Sequence, residues 1–469
     1  MSPAVRVLVV VAAVIGFLFD TYELLMLPVI GAGALSDLMH VPAEDPRVRY
    51  WIGTLLWLSA LSGGIAGLFG GWMIDRFGRK RIMVASVLAY SLSPLCAAFS
   101  TELWQFVLFR CTTFIGVCVE MVAAVTWLAE LFPEKRTREK AIAWSLAAAS
   151  LGGLLVTMVD YGLGEMAKDL PAIPTASEAS AHAPWRYTLI SGLIPGAMIL
   201  LLMPFVPESK VWSEKKRAGT LARPRFRELF APTLLRTTVV TTVLSACGYA
   251  AAFGALQVTP SQVILARTEI AEPRAKGKAM MANKEATPAE KKEAAWYLKQ
   301  AKDNQKNRKS SIQFWQELGG LVGRILLAVF VTLIPARRLI RLFLIPGILL
   351  FPLTYWPSTG IVKGDFTIFC TAIFFCGLLT VAQFSFLSEY LPKVFPVHLR
   401  GTGGSFATNV GGRMIGTMAA LLNTNVLAKE LGGTPIDVAK AAAIIGGSVY
   451  LIALIASLYL PDPQSEPGD

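Results

Sequence analysis

Six ionisable residues fall inside long apolar runs of this chain: Asp20 and Glu23, Arg110 and Glu120, Arg324, and Arg413. A charged side chain within an apolar span costs about 2.5–3.5 kcal/mol on insertion scales, so it faces a partner or a cavity. Burial favours the neutral form of a carboxylate unless a cation stands beside it. Asp20 lies near the middle of its run, and Glu23 follows three residues later on nearly the same helix face. Arg110 is a candidate cation for Asp20, and protonation of Asp20 would then release it. This is a workable proton switch; the alternative is a fixed ion pair between two helices. Glu120 is a second candidate proton site, or a neutral acid hydrogen-bonded to a neighbouring helix. Arg324 and Arg413 each offer a planar fork suited to a carboxylate or phosphate. With Asn409 and Gln383 they form the candidate substrate set, unless they pair instead with Glu317 or Glu389.

The elements that must position these charges are spans. The 469 residues are 54% hydrophobic and only 16% charged, where soluble chains carry about a quarter. Twelve runs are long enough to cross a bilayer as helices: 5–32, 51–74, 82–100, 103–131, 139–164, 186–206, 234–264, 312–334, 339–357, 365–391, 402–427 and 438–460. The first is too long for the apolar part of a cleavable signal. The expected fold is therefore all-α and integral to a membrane, with no nucleic-acid partner despite a net charge of +12. With residues 267–311 set aside, 21 Lys and Arg fall on the side of the termini and 7 on the other. That places both termini in the cytoplasm. The segment 267–311 adds twelve more cations to the outer side. Within it Thr287-Pro288-Ala289-Glu290 reads as a capping box, opening an exposed helix to about Lys306 in a solvated insertion.

The most distinctive turn joins the second and third runs: Gly70-Gly71-Trp72-Met73-Ile74-Asp75-Arg76-Phe77-Gly78-Arg79-Lys80-Arg81. It resembles the signature between the second and third helices of the major facilitator superfamily, matched at Gly71, Asp75, Arg76, Gly78, Arg79 and Lys80. Glu130-Leu-Phe-Pro133…Arg136 closes the fourth run, and Glu389-Tyr-Leu-Pro392…Arg400 closes the tenth. Such matched positions six helices apart suit two related bundles. Arg110 and Gly116 resemble the family's fourth-helix motif, and Pro207-Glu208-Ser209…Trp212 the end of its sixth helix. In sugar porters the fourth-helix arginine lies beside a first-helix aspartate used for proton coupling. Other features depart from that pattern. Gly152-Gly153 stands where sugar porters place a glutamine, and the seventh span lacks their amide cluster. The loop Ile334-Pro-Ala-Arg337-Arg338 has lost the Gly/Asp core. These departures argue against sugar selectivity and for a gate weighted to the first half. The string Phe19-Asp20-Thr21-Tyr22-Glu23 is more like organic-acid and sialate symporters.

The resemblance implies two six-helix bundles, 1–207 and 233–460, a cytoplasmic central loop 208–232 and a cytoplasmic tail 461–469. It implies a monomer in the cell (plasma or inner) membrane that carries a small solute by alternating access, most simply an organic anion with protons. The alternatives are a neutral sugar or drug porter, or a non-transporting solute sensor. The expected cytoplasmic gate comprises Gly71, Asp75, Arg76, Gly78, Arg79, Lys80, Glu130, Arg136, Glu389 and Arg400. No nucleotide-binding loop and no catalytic or metal-ligand constellation is read, and the six cysteines all lie in apolar runs, so neither an enzyme nor a cofactor is expected.

Overall fold

Thirty-two residues in a row, Pro46–Phe77, form one helix, and only Gly78 separates it from the next, Arg79–Ala98. Gly78 adopts φ 102°, a conformation that side chains resist. Its N–H donates to the Ile74 carbonyl at 2.9 Å, so one residue both ends a helix and reverses the chain. This accounts for the glycine of the signature turn.

In the computed structural model the described residues are 3–461, apart from 133, 175–176, 178–179, 206, 209–212, 215–216, 218–225, 284, 286, 332 and 397–398. The side chains of 3–4, 71, 75, 129, 135–136, 138–144, 146–147, 389 and 392 are likewise outside the description. Of the expected gate, Gly71, Asp75, Arg136 and Glu389 therefore lie outside the described residues, as do Ser209 and Trp212.

Among the described residues the regular structure is entirely helical. The helices are α1 (Pro3–Leu38), α2 (Pro46–Phe77), α3 (Arg79–Ala98), α4 (Leu103–Leu131), α5 (Lys135–Met166), α6 (Pro184–Ser191), α7 (Leu193–Leu202) and α8 (Pro232–Ala251). They continue as α9 (Thr268–Ala282), α10 (Pro288–Phe330), α11 (Ala336–Tyr355) and α12 (Phe366–Val394). Last come α13 (Arg400–Phe406), α14 (Met418–Leu421), α15 (Ala428–Glu430) and α16 (Pro435–Leu458). Wide π turns over Ala252–Leu256, Ala407–Gly416 and Leu422–Leu427 extend α8 and join α13 to α15 into one long rod. Such turns inside helices recur at functional sites.

Among the described residues nine helices are long and apolar enough to cross a membrane. The three expected spans outside that set fall on α5, on the second half of α10 and on residues 400–430. Start signals are satisfied where the sequence places them. Asp365 accepts from the N–H groups of Thr367 and Ile368, and Asp45 from that of Arg47.

Two helices of the first half carry its contact with the second. Helix α2 packs along the rod 400–430, and α5 packs on α10. The chain is closely packed at Gly64 and Gly67: a side chain at Gly67 would collide with the Asn409 amide, and one at Gly64 would crowd Met414, Arg413 and the Asn409 carbonyl. Trp57 Nε1 donates to the Met414 carbonyl at 3.1 Å, and Asn425 Nδ2 to Thr54 Oγ1 at 3.0 Å.

The segment 267–311 differs from the solvated insertion expected. The capping box is present: Thr287 Oγ1 accepts from the Glu290 N–H, and the Glu290 carboxylate returns the bond. But the helix does not stop near Lys306. It runs unbroken for 43 residues into the eighth span, because no glycine or proline interrupts 289–318. Helix α9 folds back on it. Gly277 approaches the Ala294 carbonyl, and Ala294 and Ala301 are buried.

This hairpin docks on the first half at the end opposite the α2–α3 turn. Lys306 pairs with Glu165 and Lys309 with Asp160, each at 2.6 Å, while Arg274 and Lys278 reach Glu44. Burial alone would push the Glu44 carboxyl up. The Lys278 hydrogen bond and the Arg274 charge outweigh it and hold the group below its ordinary range. Its stabilising contribution is thus complete above the ordinary carboxylate range and fades only as pH falls through that lowered value.

Candidate functional site

The membrane charges form two groups in the first half and one in the second. Asp20 on α1 is buried and has two charged neighbours, Glu120 of α4 and Arg413 of the second half. Glu120 is fully buried, and its carboxylate rests against Gly16, one turn before Asp20. The Asp20 and Glu120 carboxyls are placed to hydrogen-bond to one another when one is protonated, and no donor from another residue reaches Asp20 Oδ1 or either Glu120 oxygen. Buried acceptors in that state are costly while ionised, so the pair is suited to holding a proton.

Arg413 extends from the π segment Ala407–Gly416 across the junction of the halves. Its Nη1 donates to Asn409 Oδ1 at 2.7 Å, and its Nη2 lies 3.4 Å from Met121 Sδ on α4. Asn409 in turn donates to Ser405 Oγ at 3.1 Å. The π turn matters here, because it brings Arg413 and Asn409 onto one side of a backbone already pressed against Gly64 and Gly67.

The second group is Glu23 with Arg110. Arg110 Nη2 donates to the Glu23 main-chain carbonyl at 3.2 Å, and its guanidinium stands 5.5 Å from the Phe114 ring centre. The Glu23 carboxylate packs against Gly192, the bend between α6 and α7. Both Glu23 oxygens, and Arg110 Nε and Nη1, lack hydrogen-bond partners.

This corrects the expected pairing: Arg110 sits on Glu23, and the cation facing Asp20 is Arg413. The reason is helical. Three residues leave the side chains about 60° apart and about 4.5 Å along the axis, so Asp20 meets Glu120 of α4 while Glu23, one turn on, lies by Arg110 of α4 and the α6–α7 bend.

In the second half Gln313 and Gln316 donate to Glu317 Oε1 at 2.9 and 3.1 Å. The other side of that carboxylate meets Gly153 of α5, which makes room for Glu317, while Gly152 lets α5 approach the α1 backbone at Leu18 and Tyr22. Arg324 lies two turns further along α10, with Glu317 and Tyr249 as its charge neighbours. Gln383 is turned inward instead, toward Gly248, Tyr450 and the Leu379 carbonyl.

Two tyrosines went unread in the sequence. Tyr249 has both Arg413 and Arg324 as neighbours; its ring stacks on Phe253 and meets Phe384 edge-on at 4.9 Å. Tyr90 of α3 is wholly buried, its hydroxyl lacks a partner, and Glu120, Asp20 and Glu23 are its charged neighbours. A tyrosine inside an apolar run was the available signal.

At the opposite end, Arg79 binds within the first half and Lys80 reaches the start of the central loop. Arg79 pairs with Glu130 at 2.8 Å and donates to the Ile74 carbonyl, tying α3 to α4. The Lys80 N–H donates to both Glu208 oxygens at 3.1 and 3.2 Å. Glu208 thus places a negative charge at the positive end of α3, the physical role of the Pro207-Glu208 motif. Arg76 stands over the Trp72 and Phe77 rings, and Arg400 opens α13. Removing one partner of a largely buried ion pair costs about 3–5 kcal/mol. Arg79→Gln is therefore expected to lower the thermal unfolding midpoint of the purified protein clearly. An unchanged midpoint would remove the pair from the structural frame.

A multi-pass helical bundle with charges gathered at the meeting of two halves defines the class of polytopic membrane carriers. Residues 9–268 match the family model described as Major Facilitator Superfamily; the chain belongs to that family. The cis,cis-muconate transport protein of Acinetobacter baylyi is 24% identical over 86% of this chain and 83% of its own length. The sialic acid transporter NanX of Escherichia coli K12 is 25% identical over 44% of this chain, which spans 45% of that relative. The arabinose-proton symporter of Escherichia coli K12 is 28% identical over 44% of this chain and 39% of its own length. Among solved structures, a D-xylose-proton symporter superposes with a TM-score of 0.65 at 17% identity, covering 97% of this chain and 98% of that one. A bacterial homologue of the human lysosomal transporter Spinster gives 0.61 at 15% identity, covering 98% and 97%.

Proposed function

We propose that this chain is a proton-coupled secondary transporter that carries a small organic anion by alternating access between two six-helix halves, 1–207 and 233–460. The observation that carries this reading is that Asp20 of the first half has both the Glu120 carboxyl and the Arg413 guanidinium of the second half as charge neighbours. A fixed cation and two titratable carboxylates share one buried junction that opens and closes as the halves move. While Asp20 is ionised it holds Arg413. Protonation removes that competitor, and the guanidinium fork becomes available to a substrate carboxylate. One proton entering with one monoanion moves no net charge. Arg324, Tyr249 and Asn409 line the same side of the second half and add donors. The named relatives carry a dicarboxylate, a sialic acid and a sugar; the first two are anions.

On this reading both termini and the α2–α3 turn face the cytoplasm of a cell inner membrane, and the α9–α10 hairpin faces outward. The protein works as a monomer in the bilayer. One observation favours a second reading: the proximity of Asp20 to Arg413 equally suits a fixed ion pair in a neutral-solute porter. Uptake of labelled organic acids, sugars and phosphate into proteoliposomes, with and without an imposed pH gradient, separates the two. Uptake of a carboxylate raised by an acidic exterior is the expected result. Gradient-independent uptake of a neutral sugar alone would overturn the anion reading, and no counterflow of any solute would overturn transport itself.

A further inference from the structure

We propose that the α9–α10 hairpin is an electrostatic latch that holds the two halves together at the end opposite the α2–α3 turn. The charges divide by half. Among the described residues the hairpin's ion pairs with the first half use its cations Arg274, Lys278, Lys306 and Lys309, and the first half answers with the carboxylates Glu44 between α1 and α2, and Asp160 and Glu165 near the end of α5. Gly164 lets the Lys306 stem lie on α5.

The latch is rigid on both sides. Its longer arm is continuous with a membrane span, because α10 has no break between Pro288 and Phe330. Its base is pinned by Arg267, which is buried. Arg267 donates to Glu269 at 2.7 Å and to the carbonyls of Val362 and Gly364 at 3.0 and 2.7 Å, and its guanidinium lies 5.1 Å from the ring centres of Phe366 and Phe369. Arg308 stands 3.9 Å over the Phe366 ring. Within the hairpin, Arg274 also donates to Gln305 at 2.7 Å and Asn304 to the Glu269 carbonyl at 2.9 Å. On the receiving side, Thr188 donates to Asp160 Oδ1 at 3.1 Å while Lys309 takes Oδ2.

A hairpin fixed in this way moves with the second half. Separation of the halves at this end must break all four cation–carboxylate contacts together, and their reclosure re-forms them together. The latch therefore biases the protein toward the state closed at this end. The bias depends on salt, because most of these groups are partly exposed and screening shortens their reach. It does not depend on what the protein carries.

The test reads conformation, not transport. Ketone-bearing residues introduced at exposed Thr101 and Ser358 allow spin labelling across this end with the six native cysteines in place. Double electron–electron resonance then gives the distribution of separations. Lys306→Gln/Lys309→Gln is expected to raise the ratio of open to closed separations about 2- to 30-fold. The exchange Lys309→Asp with Asp160→Lys is expected to return the ratio toward that of the unaltered protein. In the unaltered protein, raising salt from about 0.02 M to about 1 M is expected to shift the distribution the same way, and the doubly neutralised variant to respond less. Distributions unmoved by both neutralisation and salt would overturn the latch, as would a monodisperse charge-exchanged variant that fails to recover. Where a variant does not fold, the salt series on the unaltered protein decides the question.

Discussion

Arg413→Gln is expected to weaken binding of the carboxylate substrate by at least about 30-fold. Loss of one partner from a desolvated charged hydrogen bond typically costs about 2–5 kcal/mol, and each 1.4 kcal/mol is tenfold in affinity. Arg413→Lys should fall between, since it keeps the charge and loses the planar fork that also engages Asn409. The structure supplies the decisive control. If Arg413 serves only as the fixed counter-charge of Asp20, then Asp20→Asn/Arg413→Gln removes both charges and should restore affinity. If Arg413 holds the substrate, the double variant should remain as weak as Arg413→Gln. The pairing with Glu389 considered from the sequence has the same form of test, Arg413→Gln/Glu389→Gln. Apparent affinity measured by counterflow is the appropriate readout, because exchange needs no net proton movement.

Asp20→Asn is expected to abolish accumulation while sparing exchange. A one-unit pH gradient is worth about 1.4 kcal/mol per proton, which supports about tenfold accumulation when one proton accompanies each anion. An asparagine cannot carry that proton, so the ratio should fall to about one while counterflow persists. Glu120→Gln should act in the same direction, because Glu120 and Asp20 face one another. Glu23→Gln separates the two groups of charges. Glu23 lies with Arg110 at the α6–α7 bend, and its neutralisation should leave accumulation largely intact. Tenfold accumulation surviving in both Asp20→Asn and Glu120→Gln would exclude this pair as the proton site. Loss in Glu23→Gln alone would move the site to Arg110 and its neighbour.

Nine of the twelve expected spans were legible because each is a long apolar run, and burial of apolar surface favours removing such a run from water. The α2–α3 turn was legible because Gly78 must adopt a positive φ between two basic helix ends. The start of α10 was legible because a capping box is a local signal. Its end was not. Residues 288–309 are polar, so hydropathy drew a boundary near Lys306 where the backbone recognises none; without glycine or proline a helix continues across a change of solvent. Glu208 illustrates the same limit. Its motif was visible in sequence, but its place at the start of α3 depends on a contact across 128 positions.

The sequence by itself determined that charges such as Asp20, Arg110, Glu120 and Arg413 fall within long apolar runs. It also determined that these charges are spaced along a few helices at fixed angular intervals. Only the tertiary structure decided which charge neighbours which: Arg110 with Glu23, Asp20 with Glu120 and Arg413, and the hairpin lysines with Asp160 and Glu165. Helical periodicity fixes the angle between two residues of one helix. It leaves free the rotation of that helix against its neighbours, and that rotation is set by packing at contacts such as Gly64 on Asn409 and Gly153 on Glu317, hundreds of residues apart in the first case.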